Sequence, residues 1–201
     1  MAGFVVDSAY READEFDGLP LSAWSASNGG DAEMLIAIGY RSMRARADAA
    51  MRVVAAAGRL ATIVSPGAHV AHTATLGQGS VIFPGCVVEH FAAVGTNNVL
   101  WSGTVIAHDT SIGADNYLAP GVTVSGDCRI GSRCFFGTSA TLIDGISVGD
   151  DCHIAPGAVL SENAAPRGRY AGIPARRTAE IDEALGVRIG GRDERRERTD
   201  Q

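Results

Sequence analysis

Lysine is missing from this chain: all seventeen basic side chains are arginine, and none lies between Arg59 and Arg129. That gap leaves no basic stripe for a phosphate backbone, so nucleic acid is not an expected partner. Long apolar runs are missing too. Nothing approaches the ~18 to 20 apolar residues of a membrane span, and the opening MAGFVVDSAYREADEF has neither the basic flank nor the apolar run of a signal peptide. The expectation is a cytoplasmic protein with no membrane partner. Cysteine is sparse. Each of Cys86, Cys128, Cys134 and Cys152 falls on a slot of the repeat described below that needs a small apolar group. This points to buried, reduced thiols rather than a disulfide framework.

What the chain has instead is periodicity. Over residues 64–160 an apolar residue returns every six positions: Val64, Val70, Leu76, Ile82, Val88, Val94, Leu100, Ile106, Ile112, Leu118, Val124, Ile130, Phe136, Leu142, Val148, Ile154 and Leu160. Gly77, Gly95, Gly113, Gly131 and Gly149 each follow such an anchor and lie eighteen residues apart. Helices and strands repeat near 3.6 and 2 residues, whereas a longer fixed period marks a solenoid of stacked units. Six nested in eighteen means three short strands per coil, a triangular parallel β-helix. The position two before each anchor is mostly small, and Gly, Pro, Asn or Asp recur two and three residues after it, as tight turns require. Seventeen anchors at roughly 1.5 to 3 kcal/mol each, before chain entropy is subtracted, make an ample core.

The flanks follow other rules. Residues 1–60 read as an α/β subdomain: a buried strand in GFVVDS, a loop over 17–30, a strand in EMLIAIGY, and a helix over 42–57 that turns Met43, Ala47, Ala50, Met51 and Val54 to one side. The order resembles a nucleotide-binding unit of Rossmann type whose first strand and Gly-rich loop lie outside this sequence, a truncated unit in that sense. Ligands of such sheets sit at strand C-termini, which singles out Asp7, Gly39, Tyr40 and Arg41 as substrate-binding candidates; a loop cap at Asp7 and a tight turn at Gly39 are the equal alternatives. Residues 61–163 form the β-helix domain. Residues 164–201 add a loop, a short helix over 178–185 and a charged tail.

Three of five histidines, His72, His90 and His108, stand eighteen apart, each two residues after an anchor. They line one edge of the prism, and for any one of them a polar corner residue that hydrogen-bonds in its turn is the equal alternative to a functional group. A zinc site would want a histidine pair at short spacing or a cluster of cysteine or carboxylate ligands, and the sequence has none, so no metal is expected. His69 and His153 lie outside the column and are expected to be structural. No cysteine occupies a corner, which argues against a thiol nucleophile.

His108 stands in IAHDTSIGADNYLAPGVTVSG. With the hexapeptide pattern, the N-terminal FVVDSAYREADEFDGLP and LIAIGYRSMR, and the closing YAGIPAR, this stretch resembles the sialic-acid-O-acetyltransferase-like sugar acyltransferases, the group with the nucleotide-sugar 4-amino N-acetyltransferases. The resemblance covers about residues 3–176. It implies a left-handed β-helix, a homotrimer, acetyl-CoA in the groove between neighbouring prisms, and a place in cell-surface polysaccharide biosynthesis. It also implies His108 as the catalytic base, Asp109 as the carboxylate that orients it, Gly126 as a backbone oxyanion donor beside the coenzyme, and Gly172, Pro174 and Arg176 as a segment closing over the coenzyme. His90 and Tyr117 join the acceptor-binding candidates; Tyr117 replaces a histidine that many members carry nine residues after the catalytic one, and filling space is its alternative.

An imidazole with a pKa near 6.5 suits the removal of a proton from an amine or hydroxyl attacking a thioester. The expected function is acetyl transfer from acetyl-CoA to a sugar, most of all to the 4-amino group of a nucleotide-linked amino sugar. O-acetylation of a free sugar or small hydroxyl compound, a non-catalytic trimeric scaffold and a zinc hydratase are the alternatives.

Overall fold

The computed structural model describes residues 3–6, 11, 13–24, 33–39 and 41–190. Asp7 and Tyr40, two of the substrate-binding candidates, and nearly all of the charged tail lie outside the described residues.

The six-residue period becomes seventeen two-residue strands, from Ile63–Val64 to Val159–Leu160, joined by tight turns. Strands three apart in sequence pair in parallel, each residue with the one eighteen positions away: Val105 pairs with Val87 on one side and Thr123 on the other. Each coil therefore lays one strand on each of three faces. The first face holds Ile63–Val64, Tyr117–Leu118 and His153–Ile154; the second His69–Val70, Val105–Ile106 and Val159–Leu160; the third Thr75–Leu76, Ser111–Ile112 and Ser147–Val148.

The anchors fill the prism. From Ile82 to Leu160 each is at most 5% exposed, whereas Val64 is 42% exposed because the first coil is covered on one side only. The small slot behind the anchors is buried as well, Cys86, Cys128, Cys134 and Cys152 included. Burial holds the Cys134 thiol well above its usual range, so it stays protonated and acts as filler. Asn98 and Asn116 occupy the same slot. Asn98 donates to the carbonyls of Gly95 and Gly113 at 2.8 Å each and accepts the Asn116 N–H at 2.9 Å, so these buried amides cost little.

Two backbone rules explain the glycine pattern. A Cβ at Gly95 would stand 2.6 Å from the Gly113 carbonyl oxygen one coil on, so the eighteen-residue glycine column marks where coils approach most closely. The residue three after each anchor takes a left-handed φ at every coil corner between Gly79 and Gly157, and glycine, aspartate and asparagine fill most of those places.

Residues flanking the prism depart from the expectation in four ways. The stretch expected to be loop contains the strand Leu19–Ala23, parallel to Phe4–Val6 and antiparallel to Glu15–Phe16. Among the described residues of EMLIAIGY only Glu33–Met34 is strand, paired in parallel with Arg59–Leu60 across the helix Met43–Ala55. That helix is capped by Ser42, whose Oγ accepts the Ala45 N–H. It buries Met43, Arg46, Ala47, Ala49, Ala50 and Val53, while Met51 and Val54 are 62% and 57% exposed. The apolar side is shifted because the helix lies across two surfaces: Met43 packs on Val99, Tyr117 and Phe135 of the first face, and Ala50 and Val53 pack on Leu60.

The fourth departure is at the C-terminus. In place of a helix over 178–185 the chain forms a hairpin, Gly168–Gly172 against Ala175–Glu180, that continues the first face beyond His153–Ile154. Helix propensity over so few residues is weak beside a ready sheet edge, and what remains is a turn in which Asp182 accepts the N–H groups of Ala184 and Leu185. The coiling also runs further than the period: Ala164 bridges to Val148, and Tyr170 pairs with Ile154.

Candidate active site

The corner between the second and third faces carries a column of residues two after each anchor: His72, His90, His108, Gly126, Asp144 and Glu162. At its centre the Nδ1 of His108 lies 3.0 Å from Oδ2 of Asp109. Both side chains are about half exposed. A carboxylate partner only accepts, so it holds the proton on Nδ1 and leaves Nε2 as the basic nitrogen.

The backbone beneath the ring is locked by neighbouring coils. The His108 N–H donates to Glu89 Oε2 at 3.0 Å, the Asp109 N–H to the His90 carbonyl at 3.2 Å, and the Asp127 N–H to the His108 carbonyl at 3.1 Å. The hydrogen bond that Asp109 accepts, with the charges of Asp109, Asp127 and Glu89, raises the His108 pKa. Those acidic neighbours make the corner favourable to a cation.

Gly126 is the floor for that ring. A Cβ there would lie 2.7 Å from His108 Cε1 and 2.9 Å from Nε2. Its N–H, expected as the oxyanion donor, has an acceptor of its own in Asp144 Oδ1 at 3.1 Å. The Asp144 carboxylate thus occupies this donor in the structure.

The other histidines do not converge with it. His90 Nδ1 sits 2.9 Å from Thr73 Oγ1, and His72 stacks edge-on against His90 with ring centroids 5.3 Å apart. Among the described residues no group of His, Cys, Asp or Glu has the arrangement of a metal site. His153 belongs to the first face, edge-on to Phe135 at 5.4 Å, and burial beside Arg169 lowers its pKa to about 4.

Tyr117 is not brought to the His108 corner within one chain. It lies on the first face, the side of the prism opposite that edge, 6% exposed and stacked on Phe135 at 5.6 Å under Met43 and Val187. Its aromatic surface is used in packing, which fits the space-filling alternative. Gly39 and Arg41 are exposed and also lie away from the corner: Arg46 ties the segment before them to Asn97, and the Arg41 carbonyl accepts the Ile189 N–H. A Cβ on Gly39 would meet nothing within 4 Å and its φ is not positive, so no tight turn requires glycine there.

Of the closing segment, Gly172 has a φ of 100° and, with Pro174, shapes the hairpin turn. Arg176 Nη1 reaches Glu162 Oε1 at 3.5 Å, which places a guanidinium at the C-terminal end of the His108 column. Three coils separate them, about 14 Å at the usual spacing of paired strands. Glu89 and Asp144 escaped the sequence reading. Asp144 was findable by extending the column two coils past His108; Glu89, one position before the column, had no periodic signal.

Residues 128–162 match the family model of the hexapeptide repeat of succinyl-transferase. The repeat over those residues and the three parallel faces define the fold, a β-helix built from hexapeptide repeats. A comparison with curated proteins by sequence returns no match. Among solved structures, a variant of perosamine N-acetyltransferase from Caulobacter crescentus, in complex with CoA and GDP-perosamine, superposes with a TM-score of 0.79 at 23% identity, over 88% of this chain and 85% of that one. The acetyltransferase domain of PglB from Neisseria gonorrhoeae, in complex with acetyl coenzyme A, gives 0.75 at 25% identity over 84% and 83%. WeeI from Acinetobacter baumannii gives 0.77 at 20% identity over 88% and 85%.

Proposed function

We propose that this protein is an acetyl-CoA-dependent acetyltransferase whose acceptor is an amino sugar, in the first place the 4-amino group of a nucleotide-linked sugar. The observation that carries the reading is His108, an exposed imidazole held through Nδ1 by Asp109 at a corner with a second functional group, Arg176, at the end of the same column. The similar structures of the Caulobacter and Neisseria proteins hold CoA with GDP-perosamine and acetyl coenzyme A, respectively.

In this reading acetyl-CoA lies along the column, its charged end toward Arg176 and its thioester toward His108. The acceptor amine attacks the thioester carbonyl while His108 Nε2 takes its proton; the tetrahedral intermediate collapses to the amide, and the proton leaves with the thiolate of CoA. Positioning two substrates in one groove supplies much of the acceleration, with no acyl-enzyme. The acidic surroundings of His108 favour an amine, which arrives in part as a cation, over a neutral hydroxyl.

Gly39 and Arg41, two of the candidate acceptor residues, lie away from the edge that carries His108. A cyclic trimer, in which a neighbouring prism closes each groove, is the arrangement that unites them. The test is release of free CoA from acetyl-CoA with UDP-, GDP- and dTDP-linked amino sugars and with their hydroxyl counterparts. Wild-type protein should turn over with an amino sugar and His108→Ala should not. Sedimentation should give three times the 20.8 kDa chain mass. An active His108→Ala variant, or turnover with hydroxyl acceptors alone, contradicts the proposal.

A further inference from the structure

Every corner between Gly79 and Gly157 demands a left-handed residue three after the anchor, and the chain meets the demand with small or polar side chains and Arg133, with one exception. Phe91 holds that place with a φ of 61° and is 64% exposed. A bulky ring in left-handed backbone is strained, and an aromatic side chain left in water forgoes the burial that would repay it. Neither cost serves the prism.

The ring is nevertheless held with care. The Phe91 N–H donates to Thr73 Oγ1 at 3.2 Å, and the same oxygen lies 2.9 Å from His90 Nδ1. His90 in turn stands 6.1 Å from the Phe91 ring, centroid to centroid, and packs edge-on against His72. One threonine thus positions both aromatic groups. Phe91 and Asp109 occupy equivalent corner places on adjacent coils, and the Asp109 N–H donates to the His90 carbonyl. The Phe91 backbone therefore lies about one strand spacing, roughly 5 Å, from that of Asp109, on its N-terminal side. Arg176 marks the C-terminal side of the same corner.

We infer that Phe91 is the platform on which the acceptor sugar lies, a specificity-determining residue of the acetyl transfer proposed above, on which this inference rests. The coenzyme's charged end belongs with Arg176, which leaves the N-terminal run of the corner to the acceptor. A pyranose offers one face of C–H groups that suits an aromatic plane, and an amino sugar adds a cation that is attracted to the ring's π face. His90 beside the ring, and Glu89 and Asp109 on the same and the next coil, supply hydrogen-bonding partners for the amine and hydroxyls. A single aromatic ring surrounded by such groups fits a small polar ligand with one apolar face better than it fits the broad apolar patch of a protein interface.

The experiment compares wild type, Phe91→Ala and Phe91→Tyr in steady state, varying the amino-sugar nucleotide and acetyl-CoA separately, with sedimentation of each protein. Phe91→Ala should raise the acceptor KM about 10-fold or more, the size expected for loss of one stacking contact, and leave the acetyl-CoA KM within about twofold, while Phe91→Tyr keeps wild-type values. Equal acceptor KM in all three, with the wild type active, overturns the platform and leaves the acetyltransferase reading standing. A change of assembly mass in Phe91→Ala assigns the ring to a subunit contact and overturns it as well. A wild type that transfers acetyl to no sugar overturns both.

Discussion

His108 Nδ1 lies 3.0 Å from Oδ2 of Asp109, the next residue in the chain, and the pair meets because Asp109 takes a left-handed φ of 57°. A corner that serves folding elsewhere in the prism here turns a carboxylate back onto a ring. Chain neighbours in regular strand would point to opposite faces.

The pH dependence of activity should report that contact. Asp109, with Asp127 and Glu89 behind it, raises the His108 pKa. A base works only when neutral, so kcat/KM should fall as pH drops through that raised value. In Asp109→Asn the pKa returns toward the ordinary ~6.5, and the acid limb should move to lower pH while kcat falls about 10-fold or more. Profiles of both proteins from pH 5 to 9 check this; coincident acid limbs would show that Asp109 does not act on the base.

Gly126→Ala should lose activity while keeping the fold. The added Cβ would lie 2.7 Å from His108 Cε1, and the part able to move is the exposed ring itself. Displacement of about 1 Å can cost roughly 100-fold in rate. Circular dichroism and Tm should match wild type while kcat falls.

Asp144 competes for the Gly126 N–H, which it accepts at 3.1 Å. If that N–H serves the oxyanion, Asp144→Ala removes a competitor and should raise kcat severalfold. A lower kcat would instead make the carboxylate part of the working site.

Arg46 should matter for stability and not for the chemistry. It is 2% exposed, and its guanidinium donates to the carbonyls of Ile36, Ile38 and Asn97 and to Asn97 Oδ1. Asn97 donates onward to Asp115 at 2.7 Å. Arg46→Met leaves those acceptors unsatisfied and should lower unfolding free energy by about 3 kcal/mol or more, whereas His108→Ala should leave it unchanged. Denaturant titration of the two variants compares them.

His153 predicts loss of stability in acid. Its folded pKa is lowered to about 4 by burial and by Arg169, against ~6.5 in the unfolded chain. Between those values the unfolded state binds more protons, so stability falls as pH drops through the window and levels off below it. The loss should be on the order of 2 kcal/mol once solvent screening of a half-buried ring is allowed for. His153→Phe should flatten the Tm against pH curve between 6.5 and 4; an unchanged slope would place the acid sensitivity elsewhere.

Much of this was legible in the sequence because a solenoid repeats its own local rules. The six-residue spacing located every strand, turn and inward anchor from 64 to 160, and eighteen-residue spacing placed His72, His90 and His108 on one edge. The helix expected over 42–57 is there as Met43–Ala55. What failed was non-periodic. Met51 and Val54 looked inward by helical spacing, yet the helix rests on two different surfaces at its two ends. Residues 178–185 had helix-like charge, yet a sheet edge took Thr178, Ala179 and Glu180 and left the rest as a turn.

The sequence by itself determined the prism and the address of its corners, because each coil needs only the coil before it. Tertiary structure alone decided what covers each face. It laid the helix, Tyr117 and Val187 together on the first face, led Arg176 back to the foot of the His108 column, put the Asp144 carboxylate on the Gly126 N–H, and left Phe91 in the open one coil before Asp109. Those contacts join residues with no common period, so only the packed chain could reveal them.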